Sequence, residues 1–173
     1  MEGYIFTRKD LRKQKQEEVK YIIAIQIASK YIPYLKHPSN IARVQYEKLR
    51  ALYHDENYEG AYIIGTELIN QYKKGALKSG SQQAVDFGWA DLDFSMVYAY
   101  TVSSCLFTNR YSTGLNLSSE CIESEKLQHD YYIEHHAWLL QALNRENEAC
   151  SFLTKKYMDG NEKARNLYHE YCK

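Results

Sequence analysis

Apolar residues fall along this chain at helical spacing, in blocks divided by short polar stretches. Val19, Ile23 and Ile27 recur at i, i+4, and Ile22, Ile25 and Ile32 widen the row. The pattern predicts a helix over about 8–31 with an apolar face too broad for one neighbour. Thr7 stands before it, with Asp10 three residues on in the capping-box position. Ile23, Ile25 and Ile27 also alternate as in a strand, but the length and the Lys/Gln/Glu-rich flanks favour helix. Pro33 and "KHPSN" end it, because proline lacks the amide hydrogen and disfavours helix in the residue before it. A second helix, capped by Ser39 or Asn40, is expected over about 41–53, with Tyr46, Leu49 and Tyr53 on one face. After "HDEN" a third is expected over about 58–73, carrying Ala61, Ile64, Leu68 and Tyr72. Helix, short turn and helix make an antiparallel hairpin.

The stretch "KKGALKSGSQQAVDFG", 73–88, is the only plausible linker, Gly/Ser-rich at first and then apolar again. Helices over about 91–108 and 111–124 form a second hairpin, turning at Asn109 and Arg110. A third pairs about 128–143 with 147–158 across "NRE", and an amphipathic piece at 162–171 follows. The expected organisation is one all-α domain over 1–173. It comprises an N-terminal helix within 1–35, hairpins at 41–74, 91–124 and 127–158, a loop at 75–90 and a terminal helix at 162–173. The hairpins are expected to stack as a short array with a helix flanking each end.

Set side by side, the hairpin turns read "NYEGAYIIGTEL", "RYSTGLNLSSEC" and "RENEACSFLTKK". A small residue follows each turn at one offset: Ala61, Gly114 and Ala149. Tyr58 and Tyr111 precede it by three in the first two units. Ala149 follows Gly114 by about one tetratricopeptide period, roughly 34 residues. On these positions the chain resembles the tetratricopeptide repeat family. Ala137 with Ala149, and Leu140 with Leu153, match it best in the third unit, and Tyr111, Gly114 and Cys121 match it in the second. The first unit keeps Tyr58 and Ala61 but has Leu68 where a small residue is usual, and the proline usual after the second helix is missing from all three. The resemblance covers about two thirds of the chain. It implies a right-handed helical array that binds proteins rather than an enzyme.

Composition agrees with helix: 173 residues contain two prolines and eight glycines, too few for the turns of an all-β fold. The formal charge is zero, so no global field draws nucleic acid or an acidic membrane. The apolar run 21–35 is shorter than the ~20 residues of a membrane span, and Gln26, Lys30 and Pro33 interrupt it. Asp10, Glu17 and Glu18 argue against reading the basic start as a transit peptide. Cys105, Cys121, Cys150 and Cys172 are widely spaced, with no CxxC and no secretory signal ahead of them. They are expected to be buried thiols in a reducing, cytoplasmic setting, an organelle remaining open.

Candidate chemistry is sparse. "HDYYIEHHAW", 129–138, gathers His129, Asp130, Glu134, His135 and His136, the most ligand-like cluster in the chain. Adjacent His135 and His136 point about 100° apart on a helix, and neither HExxH nor GxSxG is present. A metal-dependent or hydrolytic enzyme built on this cluster is the alternative reading. A weak RNA binder using Arg8, Lys9, Arg12, Lys13 and Lys15 is a third. "GALKSGSQ" lacks the Lys-Ser/Thr pair of a phosphate loop. His54, Asp55 and Glu56 are read as a solvated turn. Most of the seventeen tyrosines are expected to pack in seams; any beyond what the core needs would leave an amphipathic surface of the kind that anchors partners. The sequence therefore points to a non-enzymatic interaction scaffold, adaptor or structural subunit, without cofactor, metal or catalytic residues. Its partners are expected to be proteins, in a complex or a homo-oligomer, not a membrane span or nucleic acid. The candidate partner-binding residues are Ile23, Ile27, Tyr62, Tyr72, Trp89, Tyr98, Tyr131 and Trp138.

Overall fold

Helices dominate the computed structural model, which describes residues 8–124, 127 and 131–172. In chain order they are α1 (Arg8–Tyr31), α2 (Pro38–His54), α3 (Tyr58–Lys73), α4 (Gln82–Asp86), α5 (Phe94–Phe107), α6 (Tyr111–Glu123), α7 (Tyr131–Ala142), α8 (Glu146–Met158) and α9 (Glu162–Tyr171). A 3-10 turn, Ile32–Tyr34, follows α1 where Pro33 falls. No strand occurs among the described residues; Ser79 and Leu92 form an isolated parallel bridge. Thr7, the expected cap of α1, lies outside the described residues.

The helices stack in two layers. Contacts run α1–α2, α2–α3, α3–α5, α5–α6, α6–α7, α7–α8 and α8–α9. A second set, α2–α5, α5–α7 and α7–α9, links the first helices of successive hairpins. These first helices therefore form one layer, and α1, α3, α6 and α8 lie along the other. The main core joins α2, α3, α5, α6 and α7 through Leu49, Leu68, Phe94, Val97, Val102, Cys121 and Leu139, all fully buried. A smaller core of Ile133, Ala137, Leu153, Ala164 and Leu167 fastens α9 to α7 and α8.

The expected small residues sit where helices close. Ala61 and Ala149 have no exposed surface. A Cβ on Gly114 would come within 2.8 Å of the Cys105 Cβ and 2.9 Å of Leu139. Gly65, which the repeat alignment did not single out, is as tight: a Cβ there would fall on the Thr101 hydroxyl of α5.

The hairpin turns share one geometry. Glu56, Asn109 and Asn144 are left-handed, with φ of 59, 57 and 57°. Each lies five residues before the small position. In each turn the next residue's amide reaches back five: Asn57 to the Leu52 carbonyl, Arg110 to Cys105 and Arg145 to Leu140, at 2.9, 2.8 and 2.9 Å. The α8–α9 junction repeats it, with Gly160 at φ 87° and the Asn161 amide on the Lys156 carbonyl. These are Schellman ends, which satisfy the last carbonyls of a helix.

Three expectations are corrected. Neither Ser39 nor Asn40 caps α2: Pro38 begins the helix and His37 takes the N-cap position without a side-chain bond. Proline there gives up only an amide that has no helical partner in any case. Ser39 instead hydrogen-bonds Asp91, whose other carboxylate oxygen accepts the Lys78 amide at 2.8 Å. Burial alone would raise the Asp91 carboxyl, but these two bonds hold it below the usual carboxylate range. The expected loop over 75–90 is thus fixed to α2 and contains α4, with Leu77, Val85 and Ala90 buried. Finally, only Cys105 and Cys121 are buried thiols; Cys150 and Cys172 form a disulfide between α8 and the end of α9. Helix packing of α9 on α8 brings them to a Cα separation of 5.6 Å, which spacing along the chain could not reveal.

Candidate protein-docking surface

α1 packs on α2 through one side only. Ala28 is 5% exposed, and Ile25 packs against the main core. The Tyr21 ring stacks on His54, with centroids 5.1 Å apart. His54 is the last residue of α2 rather than part of the turn, still exposed to solvent, and its ring also meets Tyr53 and Tyr100 edge-on. Tyr53 joins this aromatic seam to α5, its hydroxyl 2.7 Å from the Ser103 hydroxyl. Tyr46 borders the same seam, and its burial, with Tyr100 beside it, pushes the phenol up to about 12. The Tyr46 phenol is therefore a neutral packing group at neutral pH.

The other side of α1 is apolar and open. Val19, Ile23, Ile27 and Tyr31 follow one another at steps of four, 54, 47, 52 and 52% exposed, and Ile22 lies beside them. Tyr34 extends the exposed apolar surface past the end of the helix. A groove of about 320 Å³ between α1 and α2 borders this face, lined by Lys20, Tyr21, Ala24, Glu47, Arg50 and Ala51. These six side chains, five about half exposed and Tyr34 more so, amount to on the order of 600 Å², the top of the range monomers leave bare.

The candidate partner-binding residues do not form one patch. Ile23 and Ile27 are on the open face of α1. Trp89 is exposed in the loop after α4, stacked on Phe87 at 5.3 Å. Tyr62 lies half-buried under the Arg110 guanidinium, which also pairs with Glu59 at 2.8 Å. Tyr72 stacks on Phe94 at 4.4 Å. Tyr98 is in the core, 2% exposed, and donates its hydroxyl to Glu120; burial and that carboxylate raise its pKa. It holds α5 to α6 and has no surface to offer. Trp138 is half-buried beside the His135 ring. Tyr131 opens α7, and its side chain lies outside the described residues. Val19, Ile22, Tyr31, Tyr34 and Phe87 join the exposed apolar surface without having been candidates. The signal for the first two was the width of the α1 row itself.

The described members of the His/Asp/Glu cluster meet different partners. His129 and Asp130 lie outside the described residues, as do the side chains of the basic patch at Arg8–Lys15. Glu134 pairs with Lys163 at 2.6 Å. His135 is buried at 3% exposure. His136 turns the other way: its Nδ1 is 3.0 Å from the Ser118 hydroxyl, and its ring packs on Phe152. Burial, with Arg145 and Lys156 nearby, lowers its pKa to about 4, so it is neutral. Among the described residues, no group of three or more His, Cys, Asp or Glu could hold a metal ion. Ser118 is fully buried, with its hydroxyl also donated to the Leu115 carbonyl, so the Ser118–His136 pair fastens α6 to α7 rather than meeting substrate. Burial pushes the Cys105 and Cys121 thiols up to about 12, far from the thiolate a nucleophile requires.

No described helix is long and apolar enough to cross a membrane. Compared with protein-family models, curated proteins and solved structures, the chain matches none.

Proposed function

We propose that this protein is a non-enzymatic scaffold, an adaptor or structural subunit that docks a protein partner through α1. The single observation that carries the reading is the row Val19, Ile23, Ile27 and Tyr31, apolar and about half exposed at the end of the array. An apolar surface of this extent on an ordered helix marks an interaction site. The two-layer order and the repeated turn support a tetratricopeptide-like array, whose members recognise proteins by shape. The Cys150–Cys172 bond favours surroundings that keep thiols oxidised over the cytoplasm expected from the sequence.

The test is isolation of the tagged full chain from its native source, beside the Ile23→Glu/Ile27→Glu variant. A protein should accompany the wild type in fixed ratio and be lost from the variant. An unchanged set of companions, or none with the wild type, would refute the proposal.

A further inference from the structure

In the layer of α3, α6 and α8, every helix is held between two helices of the other layer: α3 between α2 and α5, α6 between α5 and α7, α8 between α7 and α9. α1 occupies the equivalent place beside α2 but has no second helix against it among the described residues. Its outward apolar row lies where that helix would pack. The two ends of the array also differ. The outer side of α9 exposes Glu162, Arg165, Asn166, His169 and Glu170, with Tyr171 at its last position, a mostly polar finish. α1 has no such finish.

We infer that α1 is completed by an amphipathic helix from a partner protein, apolar at steps of four residues and acidic along its borders; this rests on the docking reading above. The shape follows from the array, because each neighbouring position is filled by a helix packed by ridges into grooves. The charge follows from the rim. Lys20 and Lys30 flank the apolar row, and Arg50 and Glu47 line the groove beside it as a pair at 3.4 Å. Among the described side chains the unmatched sign is positive, which selects carboxylates on the incoming helix. A second copy is the poorer occupant. Antiparallel pairing of two α1 helices about Ile25 would set Lys20 of each against Lys30 of the other, and like charges at an interface disfavour the pair.

The probe is an acetylated 18-residue peptide with Leu at every fourth position and Glu bordering that row, compared with the same peptide carrying Lys for Glu. Fluorescence anisotropy against the full chain should show the Glu peptide binding at least ~10-fold more tightly. The Lys20→Glu/Lys30→Glu variant should reverse that preference. The Ile23→Glu/Ile27→Glu variant, with helical circular dichroism unchanged, should bind neither. Equal affinities, no binding of the Glu peptide, or a preference that survives the lysine exchange would overturn the inference. So would a dimer of the wild type in sedimentation velocity that the isoleucine variant dissolves. If the peptides fail while the native partner still depends on Ile23 and Ile27, the docking reading stands and the acidic helix falls. If the native partner ignores those residues, both fall.

Discussion

Single side chains set the spacing of this fold, and they differ in how openly the sequence declares them. Ala61, Gly114 and Ala149 were legible because a small residue recurred at one offset from each turn. Gly65 was not, because its partner Thr101 is a helix and a linker away and no repeat predicts it. Gly114→Ala must insert a methyl 2.8 Å from the Cys105 Cβ, which is fixed directly to the α5 backbone, and 2.9 Å from a Leu139 methyl. It should destabilise the domain by ~1–3 kcal/mol in urea unfolding. His54 looked like a turn residue because Tyr21, the ring it stacks on, is distant in sequence. His136 was seen only as one of a cluster, and its role came from the Ser118 and Phe152 that α6 and α8 bring to it. The native protein keeps this imidazole neutral down to about 4, whereas the unfolded chain protonates it below about 6.5. Between those values the unfolded state binds more protons, so stability rises with pH and is lost on acidification. The unfolding free energy should therefore fall from pH 7 to pH 4.5, by at most about 3 kcal/mol from this group, read as a lower urea midpoint. His136→Gln should flatten that part of the slope.

Helices were the most readable elements, since their apolar spacing and the punctuation by Pro33, "HDEN", Asn109 and "NRE" agree with one another. α3 and α9 occupy the spans the sequence predicts, 58–73 and about 162–171. The linker was less readable because its order comes from outside it: Ser39 and Arg43 of α2 hold Asp91 and the Val85 carbonyl. The turns carry a feature hidden from hydropathy. Asn109 and Asn144 suit the left-handed position that closes them, whereas Glu56 at φ 59° pays a steric penalty there. Glu56→Asn should make the first turn like the other two and raise stability by up to ~1 kcal/mol, read as a higher thermal midpoint. The clasp on α9 predicts the opposite sign. Reduction, or Cys172→Ser, removes a link across 22 residues and should cost about 3 kcal/mol. Amide exchange should accelerate first in α9, which otherwise rests on Ala164, Leu167 and the small core they join.

At the scale of the molecule, the class of fold was legible, and which apolar side chains stay exposed only partly. Ile23 and Ile27 were named because the α1 row was too wide for one neighbour, and α2 does cover just one side of it. The other candidates were chosen by residue type. Tyr98 shows the limit of that choice: a tyrosine suits a seam as well as a surface, and only packing decides. The order of contacts has a mechanical consequence. Each helix leans mainly on its sequence neighbours, so a chain pulled by its two ends should give way stepwise, starting with α1, which among the described residues has a single helix to hold it. The bond from Cys150 to Cys172 removes 22 residues of sequence separation from that release. At about 3.4 Å per residue, they would add roughly 70 Å of extension only once a reductant is present. In single-molecule stretching the oxidised chain should thus be the shorter rope, with α9 carrying no load and the force passing from α8 straight to the carboxyl end.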